Sequence, residues 1–398
     1  MKKISENKFW QEIISEFYQQ CQISQESCNC LNAFLECPEI IEMLDGCELS
    51  QEECKQYRAA ILDVLNTKRS DLTKREDSIL QKFSDQNKKA EEYLLDEKPF
   101  VDEHMKESVQ FLLFQGICKS RGEELSSILS LKVRYRKYSK YKGFSMGLYE
   151  ASPVFDLTVG NAERGSFYKR EPKDKYGKLE YLFREDGRLV STIYYISENN
   201  QEICYVLYSG SYIYYMIYDQ FFGKKTLYSV KILKNIHNKL EYLKWCVYGG
   251  LAGIHRVGKE TYLYHSNKIG KWWSEEFWFP IYNENTTLDG AMIRELYTVI
   301  YDKEGDMSGY EVNSYIGSRL AKDVLQKKFA HISGYNEFYL SEKDRLDTGK
   351  DSLRWKYPPN YFLCPDIKSN VQEGTPILSL IAEQIWFWGE INERIFCR

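Results

Sequence analysis

The sequence predicts an α+β protein: an acidic N-terminal helical region, then a large antiparallel β-meander sheet covered by C-terminal helices. Three observations predict it. Apolar residues recur with a helical period up to about residue 130 and with a period near 2 from there to about residue 316. Turn residues, not helical segments, separate the strand-like runs, which implies an antiparallel sheet rather than a parallel α/β one. The charge divides at the same place. Residues 1–130 hold 16 Lys/Arg and 25 Asp/Glu, a net of −9, and residues 131–398 hold 38 and 33, a net of +5. At roughly 150 residues per domain, two domains are expected, a helical one over 1–128 and a sheet domain with C-terminal helices over 129–398.

The helices follow from their stripes. Over 4–22, Phe9, Trp10, Ile13, Ile14, Phe17, Tyr18 and Cys21 share one side. Ser50 starts the next helix, with Glu53 three residues on in the spacing of a capping box. Its stripe is Cys54, Tyr57, Ile61, Leu62 and Leu65. Residues 66–107 are dense in charge, with sparse apolar marks at Ile79, Leu80, Phe83 and Leu94, which predicts a long solvated helix or a helical hairpin. A further helix is expected over 101–118, continuing after Gly122 to about 129.

Strand-length runs follow at 131–138, 153–159, 178–184, 188–196, 202–209, 211–219, 226–233, 239–247, 260–266, 271–279, 293–302 and 309–316. Asp186-Gly187 is the strongest hairpin signal among the turns. The string KLEYL occurs at Lys178–Leu182 and Lys239–Leu243, but the residues after the two copies do not align, so no repeat architecture is expected. Helical spacing returns over 317–330 and about 375–394, where Ile381, Ile385, Trp386 and Trp388 would cover one sheet face.

The opening MKKISENKFWQEII lacks the apolar core of a secretory signal. The run Pro376 to Gly389 is too short to span a bilayer and contains Glu383 and Gln384. Eleven cysteines are an odd number in a chain too large to need staples, and they read as reduced thiols. A soluble cytoplasmic protein with no membrane partner is expected, and the wealth of Lys, Ile, Tyr and Asn fits an AT-rich bacterial genome.

No complete catalytic or cofactor motif is present, and no cofactor is expected. Gly253 to Glu260, GIHRVGKE, matches a phosphate-binding loop up to its lysine. Glu260 then stands where the Mg²⁺-binding hydroxyl belongs, and a strand-like TYLYHS follows where a helix is needed. A glycine-containing hairpin is the better reading. Cys21, Cys28, Cys30, Cys37, Cys47 and Cys54 crowd into 34 residues at repeated spacings of seven, without a C-x₂-C or a nearby histidine. Buried packing of small hydrophobes is expected there ahead of zinc, so no metal site is assigned. His255, Arg256, Glu260 and His265 are the best alternative catalytic set, provided a hairpin brings them together. Trp272, Trp273 and Trp278 raise carbohydrate binding as a third reading.

The most specific feature is KVRYRKYSKYKG, Lys132 to Gly143. Six basic residues interleave with Tyr135, Tyr138 and Tyr141. If extended, Lys132, Arg134 and Arg136 share a face that suits an acidic protein surface or a single-stranded nucleic acid. The plainer readings are a lysine-guarded edge strand or a strip neutralised by the acidic helical part. Tyrosine is the other signal, with 25 of 32 between Tyr135 and Tyr315. In SGSYIYYMIYDQFFG, Ile213, Tyr215 and Ile217 are expected to face the core, and Tyr212, Tyr214 and Tyr218 to form an amphipathic outer face. The alternative is a sheet buried on both sides by the protein's own helices.

The functional expectation is therefore a protein-binding module, with an immunity-type neutraliser of a toxin or nuclease as one category. Arg134, Tyr135, Arg136, Tyr138, Tyr212, Tyr214 and Tyr218 would bind the partner. Nucleic acid at Lys132 to Lys142 is the lesser alternative, together with an enzyme whose site is assembled from scattered residues.

Overall fold

A computed structural model of the protein describes residues 3–21, 23–82, 87–140, 146–150, 152, 167–236, 239–249, 253–265, 268–280, 292–301, 303, 307–320 and 335–339. The helices among them are α1 (Glu6–Cys21), α2 (Gln25–Leu35), α3 (Pro38–Leu44), α4 (Gln51–Lys82), α5 (Asn87–Cys118) and α6 (Gly122–Ser130). The short strands β1 (Lys3–Ser5) and β2 (Glu48–Ser50) pair and bracket the first three helices. The predicted capping box opens α4. Ser50 Oγ accepts from Glu53 N at 3.3 Å, and the Glu53 carboxylate accepts from Ser50 N at 2.7 Å.

Helices α2 and α3 were not expected. The seven-residue cysteine spacing is not a helical stripe, because each pair straddles an element boundary: Cys21 and Cys28 fall in different helices, and Cys37 is the N-cap of α3. The true signals are local. Ser24 caps α2 by accepting from Ser27 N at 3.1 Å, and Pro38 opens α3.

The remaining strands are β3 (Tyr135–Lys140), β4 (Lys178–Phe183), β5 (Leu189–Ser197), β6 (Asn200–Ser209), β7 (Tyr212–Phe221), β8 (Lys224–Ile236), β9 (Lys239–Gly249), β10 (Gly253–His265), β11 (Lys268–Trp278), β12 (Met292–Tyr301), β13 (Met307–Ile316), β14 (Arg319–Leu320) and β15 (Tyr335–Tyr339). They form one 13-stranded antiparallel sheet in sequence order from β3 to β14, with β15 also paired to β13. The meander expectation holds. At Asp186-Gly187 the chain reverses as expected, with Gly187 at φ +81° and its N–H donating to the Arg184 carbonyl.

Among the described residues, the helices that pack on the sheet are N-terminal ones, so the expected C-terminal cover is not what the structure describes: residues of α1, α2, α5 and α6 share one buried cluster with β6 to β11. The physical reason is the C-terminal half of α5. Phe111, Leu112, Leu113, Phe114 and Ile117 leave it apolar all round, so it must be buried between other helices and the sheet. The helix expected over 317–330 begins instead in strand β14, and residues 321–330 and 375–394 lie outside the described residues. The strand expected over 153–159 also lies outside them.

A second cluster fills the opposite face, where Tyr181, Val206, Tyr215 and Trp272 pack with Met146 and Tyr149 of the segment 146–150. Strand β7 therefore has no outer face. Tyr212, Tyr214 and Tyr218 lie beneath the helices, and Tyr215 and Ile217 belong to the second cluster, which overturns the expected outward tyrosine face. Helix backbone satisfies the hydroxyls instead of water. Tyr214 donates to the Cys30 carbonyl of α2 at 2.8 Å, Tyr248 to Phe111 at 2.7 Å, and Tyr218 to Cys118 at 2.9 Å. Cys118 ends α5, so this last bond satisfies one of the carbonyls that a helix terminus leaves unpaired.

Candidate functional site

The basic strip is tethered to the protein itself. Lys132 pairs with Glu39 of α3 at 2.8 Å, which Arg184 also reaches. Arg136 pairs with Glu180 at 3.1 Å, and Tyr138, buried, donates to the same carboxylate at 2.8 Å. Arg134 donates to the carbonyls of Leu131 and Val133. Of the four proposed contact residues here, Arg134, Tyr135 and Arg136 are exposed, on and beside edge strand β3, and Tyr138 is buried. Lys142 lies outside the described residues.

The alternative catalytic set does not converge. His255, Arg256, Glu260 and His265 all lie on the single strand β10. Ten residues separate the two histidines, about 30 Å of extended chain. His255 packs edge-on against Trp278 at 5.1 Å, and Arg256 pairs with Glu276 at 3.1 Å. Gly253 to Glu260 is strand throughout, so no phosphate-cradling turn into a helix forms. Glu260 is buried and accepts from Ser152 Oγ at 2.7 and 2.8 Å and from the Tyr262 hydroxyl. Trp272 is buried against Tyr297, with Trp273 beside Tyr315, so the tryptophans form no exposed sugar-stacking row. Of the six clustered cysteines expected to pack as buried small hydrophobes, Cys30, Cys37 and Cys54 are core residues and Cys21, Cys28 and Cys47 are half-buried; burial pushes the Cys30 thiol up to about 12. Among the described residues, no group of three His, Cys, Asp or Glu is placed to hold a metal ion.

Two features stand out that the sequence reading missed. The first is the β7–β8 turn. Phe221 and Phe222 are 59% and 71% exposed, with ring centroids 4.6 Å apart. Phe222 has φ +47° and Gly223 φ +80°. Positive φ at both central positions defines the turn type that favours Asn-Gly. Phenylalanine there strains the backbone by about 1 kcal/mol.

The second is a cleft between the helices and the sheet. Lys244 of β9 and Lys259 of β10 stand directly opposite each other on adjacent strands. Like charges so placed repel, and α5 compensates them: Glu107 accepts from Lys244 at 2.6 Å and Glu103 from Lys259 at 3.0 Å. Continuing along the row, Lys259 faces Glu275 of β11, which pairs with Arg294 of β12 at 2.7 Å. Lys234 of β8 sits between Glu26 of α2 at 2.9 Å and Glu241 at 3.2 Å. Burial works to raise Glu26, but hydrogen bonds from Tyr242, Lys234 and Tyr212 hold it below the usual carboxylate range. The cleft volume is about 670 Å³.

No family model matches the chain, no curated protein matches its sequence, and no solved structure matches its fold. What the protein does must therefore be argued from its own surface. No helix among the described residues is long and apolar enough to cross a membrane.

Proposed function

We propose that the protein is a protein-binding module that inserts the Phe221–Phe222 tip of its β7–β8 hairpin into an apolar pocket of its partner. The observation that carries this reading is an exposed phenylalanine held at positive φ. In the free protein it gains nothing from burial and costs backbone strain, although asparagine would fit the turn without either penalty. Residues kept at such a cost concentrate where they work. Buried in a partner, each ring is worth about 2 kcal/mol as an interface anchor. A lipid surface fits less well. Of the two lysines beside the tip, Lys225 is already paired with Glu123 at 3.0 Å, which leaves the exposed Lys224 as a single cation, short of the polybasic surround of an anionic-membrane anchor.

Replacing Phe222 with a photo-crosslinking phenylalanine analogue in the cells of origin tests this. One protein adduct should form there and not from the same label at Leu131, which is 72% exposed. The Phe222→Asn variant should bind that protein at least about tenfold more weakly while its folding stability rises by about 1 kcal/mol. Identical adducts from both positions, adducts to lipid only, or unchanged affinity of the variant would refute the reading.

A further inference from the structure

The edge of the sheet at β3 carries an inference that does not depend on the hairpin tip. We infer that β3 and the segment 167–178 bind single-stranded nucleic acid, with Lys140, Lys169, Arg170 and Lys173 on its phosphates and Tyr168 and Tyr176 stacked on its bases. The whole chain has a net charge of −4, yet residues 134–140 and 167–178 hold nine Lys/Arg against two Asp/Glu, a net of +7. Part of that charge is already engaged. Arg136 pairs with the buried Glu180, Lys175 with Glu171 and Lys178 with Asp174. Lys140, Lys169, Arg170 and Lys173 are exposed and pair with no described residue. They are free to meet an anion from solution.

The segment that carries three of them is pinned to the sheet. Phe167 bridges Ser139 on the side of β3 away from β4, and its ring packs on Tyr181 at 5.3 Å. The Tyr168 N–H donates to the Tyr138 carbonyl at 2.7 Å, and the Gly177 N–H to the Tyr195 carbonyl at 2.8 Å. Between these anchors the Glu171 carboxylate accepts from the Tyr138 hydroxyl at 2.9 Å. Backbone fixed before binding lowers the ordering cost of association. The residue types select the polyanion. Three of the four free cations are lysines, which protein interfaces disfavour and phosphate contacts use. Tyr168 and Tyr176 stand in the same run, 37% and 50% exposed. Exposed rings among cations offer stacking faces to unpaired bases. A duplex keeps its bases stacked on one another, and a carboxylate surface has none to stack.

Fluorescence anisotropy of the full chain with labelled oligothymidine and oligouridine of about twelve nucleotides provides the test. At least one should bind, the stronger identifying the sugar, with log affinity falling linearly in log salt. Replacing Lys169, Arg170 and Lys173 together with alanine should weaken binding at least about tenfold at low salt and reduce the salt slope by about 2. Tyr176→Ala should weaken binding at least about fivefold and leave the slope unchanged, as loss of a stacking ring does. All four side chains are exposed, so both variants should keep the wild-type urea midpoint. Poly-glutamate of matched charge should compete at least about tenfold more weakly than the oligonucleotide. No anisotropy change up to about 100 μM protein at about 50 mM salt, or wild-type affinity in either variant, would overturn the inference. Equal competition by poly-glutamate would overturn it too, marking the edge as a docking site for an acidic protein.

Discussion

Tyr214→Ala should lower the unfolding free energy by roughly 3–5 kcal/mol. The ring is fully buried in the seam between helices and sheet, 5.1 Å from Phe34 of α2 and 5.9 Å from Phe114 of α5. Truncation leaves a cavity between three elements whose backbones are fixed by their own hydrogen bonds, so the space cannot close. It also removes the hydroxyl that the Cys30 carbonyl accepts at 2.8 Å. Tyr214→Phe separates these terms. It keeps the ring and removes the hydrogen bond, and should cost about 1 kcal/mol. Tyr135→Ala, on the exposed edge strand, should stay within about 0.5 kcal/mol of wild type. Urea denaturation measures all three, with the midpoint falling and the slope unchanged. A loss near zero for Tyr214→Ala would place the tyrosine where the sequence reading expected it, at a water-facing surface.

That comparison shows which parts of the fold were legible and why. Strand existence, antiparallel order and most strand boundaries follow from period-2 patterning and turn residues, which are local properties. The long α4 and α5 follow from stripes and a capping box. Which sheet face is covered does not follow. In SYIYYMIYDQ both faces of β7 carry rings, and tyrosine fits a core as well as a surface if a carbonyl meets its hydroxyl. That carbonyl belongs to a residue 184 positions away in the case of Cys30, and no local pattern announces it. The basic strip misled in the same way. Lys132 reads as free charge in sequence, but Glu39 lies 93 positions away and 2.8 Å distant. The cleft was invisible because Lys234, Lys244 and Lys259 are spread over three strands, with their carboxylates on two helices and, for Glu241, on β9. The hairpin tip could have been found. Phe-Phe-Gly-Lys-Lys between two strand runs puts an aromatic where a two-residue turn wants asparagine, and that is a legible conflict between local rules.

The protein should be most stable at mildly acidic pH and lose stability as the solution approaches neutrality. Burial pushes Glu260 up from the ordinary 4.5 to about 7, against hydrogen bonds from Tyr262 and Ser152 that work the other way. Glu202 of β6 is pushed to about 7 as well, by burial first and then by Asp219, which faces it across the β6–β7 pair. The folded state thus holds these two protons more tightly than the unfolded chain. Their stabilising contribution is complete below about pH 4.5, falls as the pH rises through the interval up to about 7, and is gone above it. For Glu260 the full change is about 3 kcal/mol, and Glu202, being only half-buried, contributes less. At the acid end, Glu26, Glu39 and Glu103 act in the opposite sense. Their folded values are depressed, so the stability they lend is lost as the pH falls below the ordinary carboxylate range. The two trends place the maximum near pH 5, below the interval of about pH 5–8 in its usual centre. Unfolding free energies measured in urea at pH 5, 6, 7 and 8 should show the decline. Glu260→Gln, which keeps the shape and cannot ionise, should remove the larger part of it, and Glu202→Gln most of the remainder. A wild-type curve that is flat from pH 5 to 8, or a Glu260→Gln curve as steep as the wild type, would mean that Glu260 is not held protonated in the sheet.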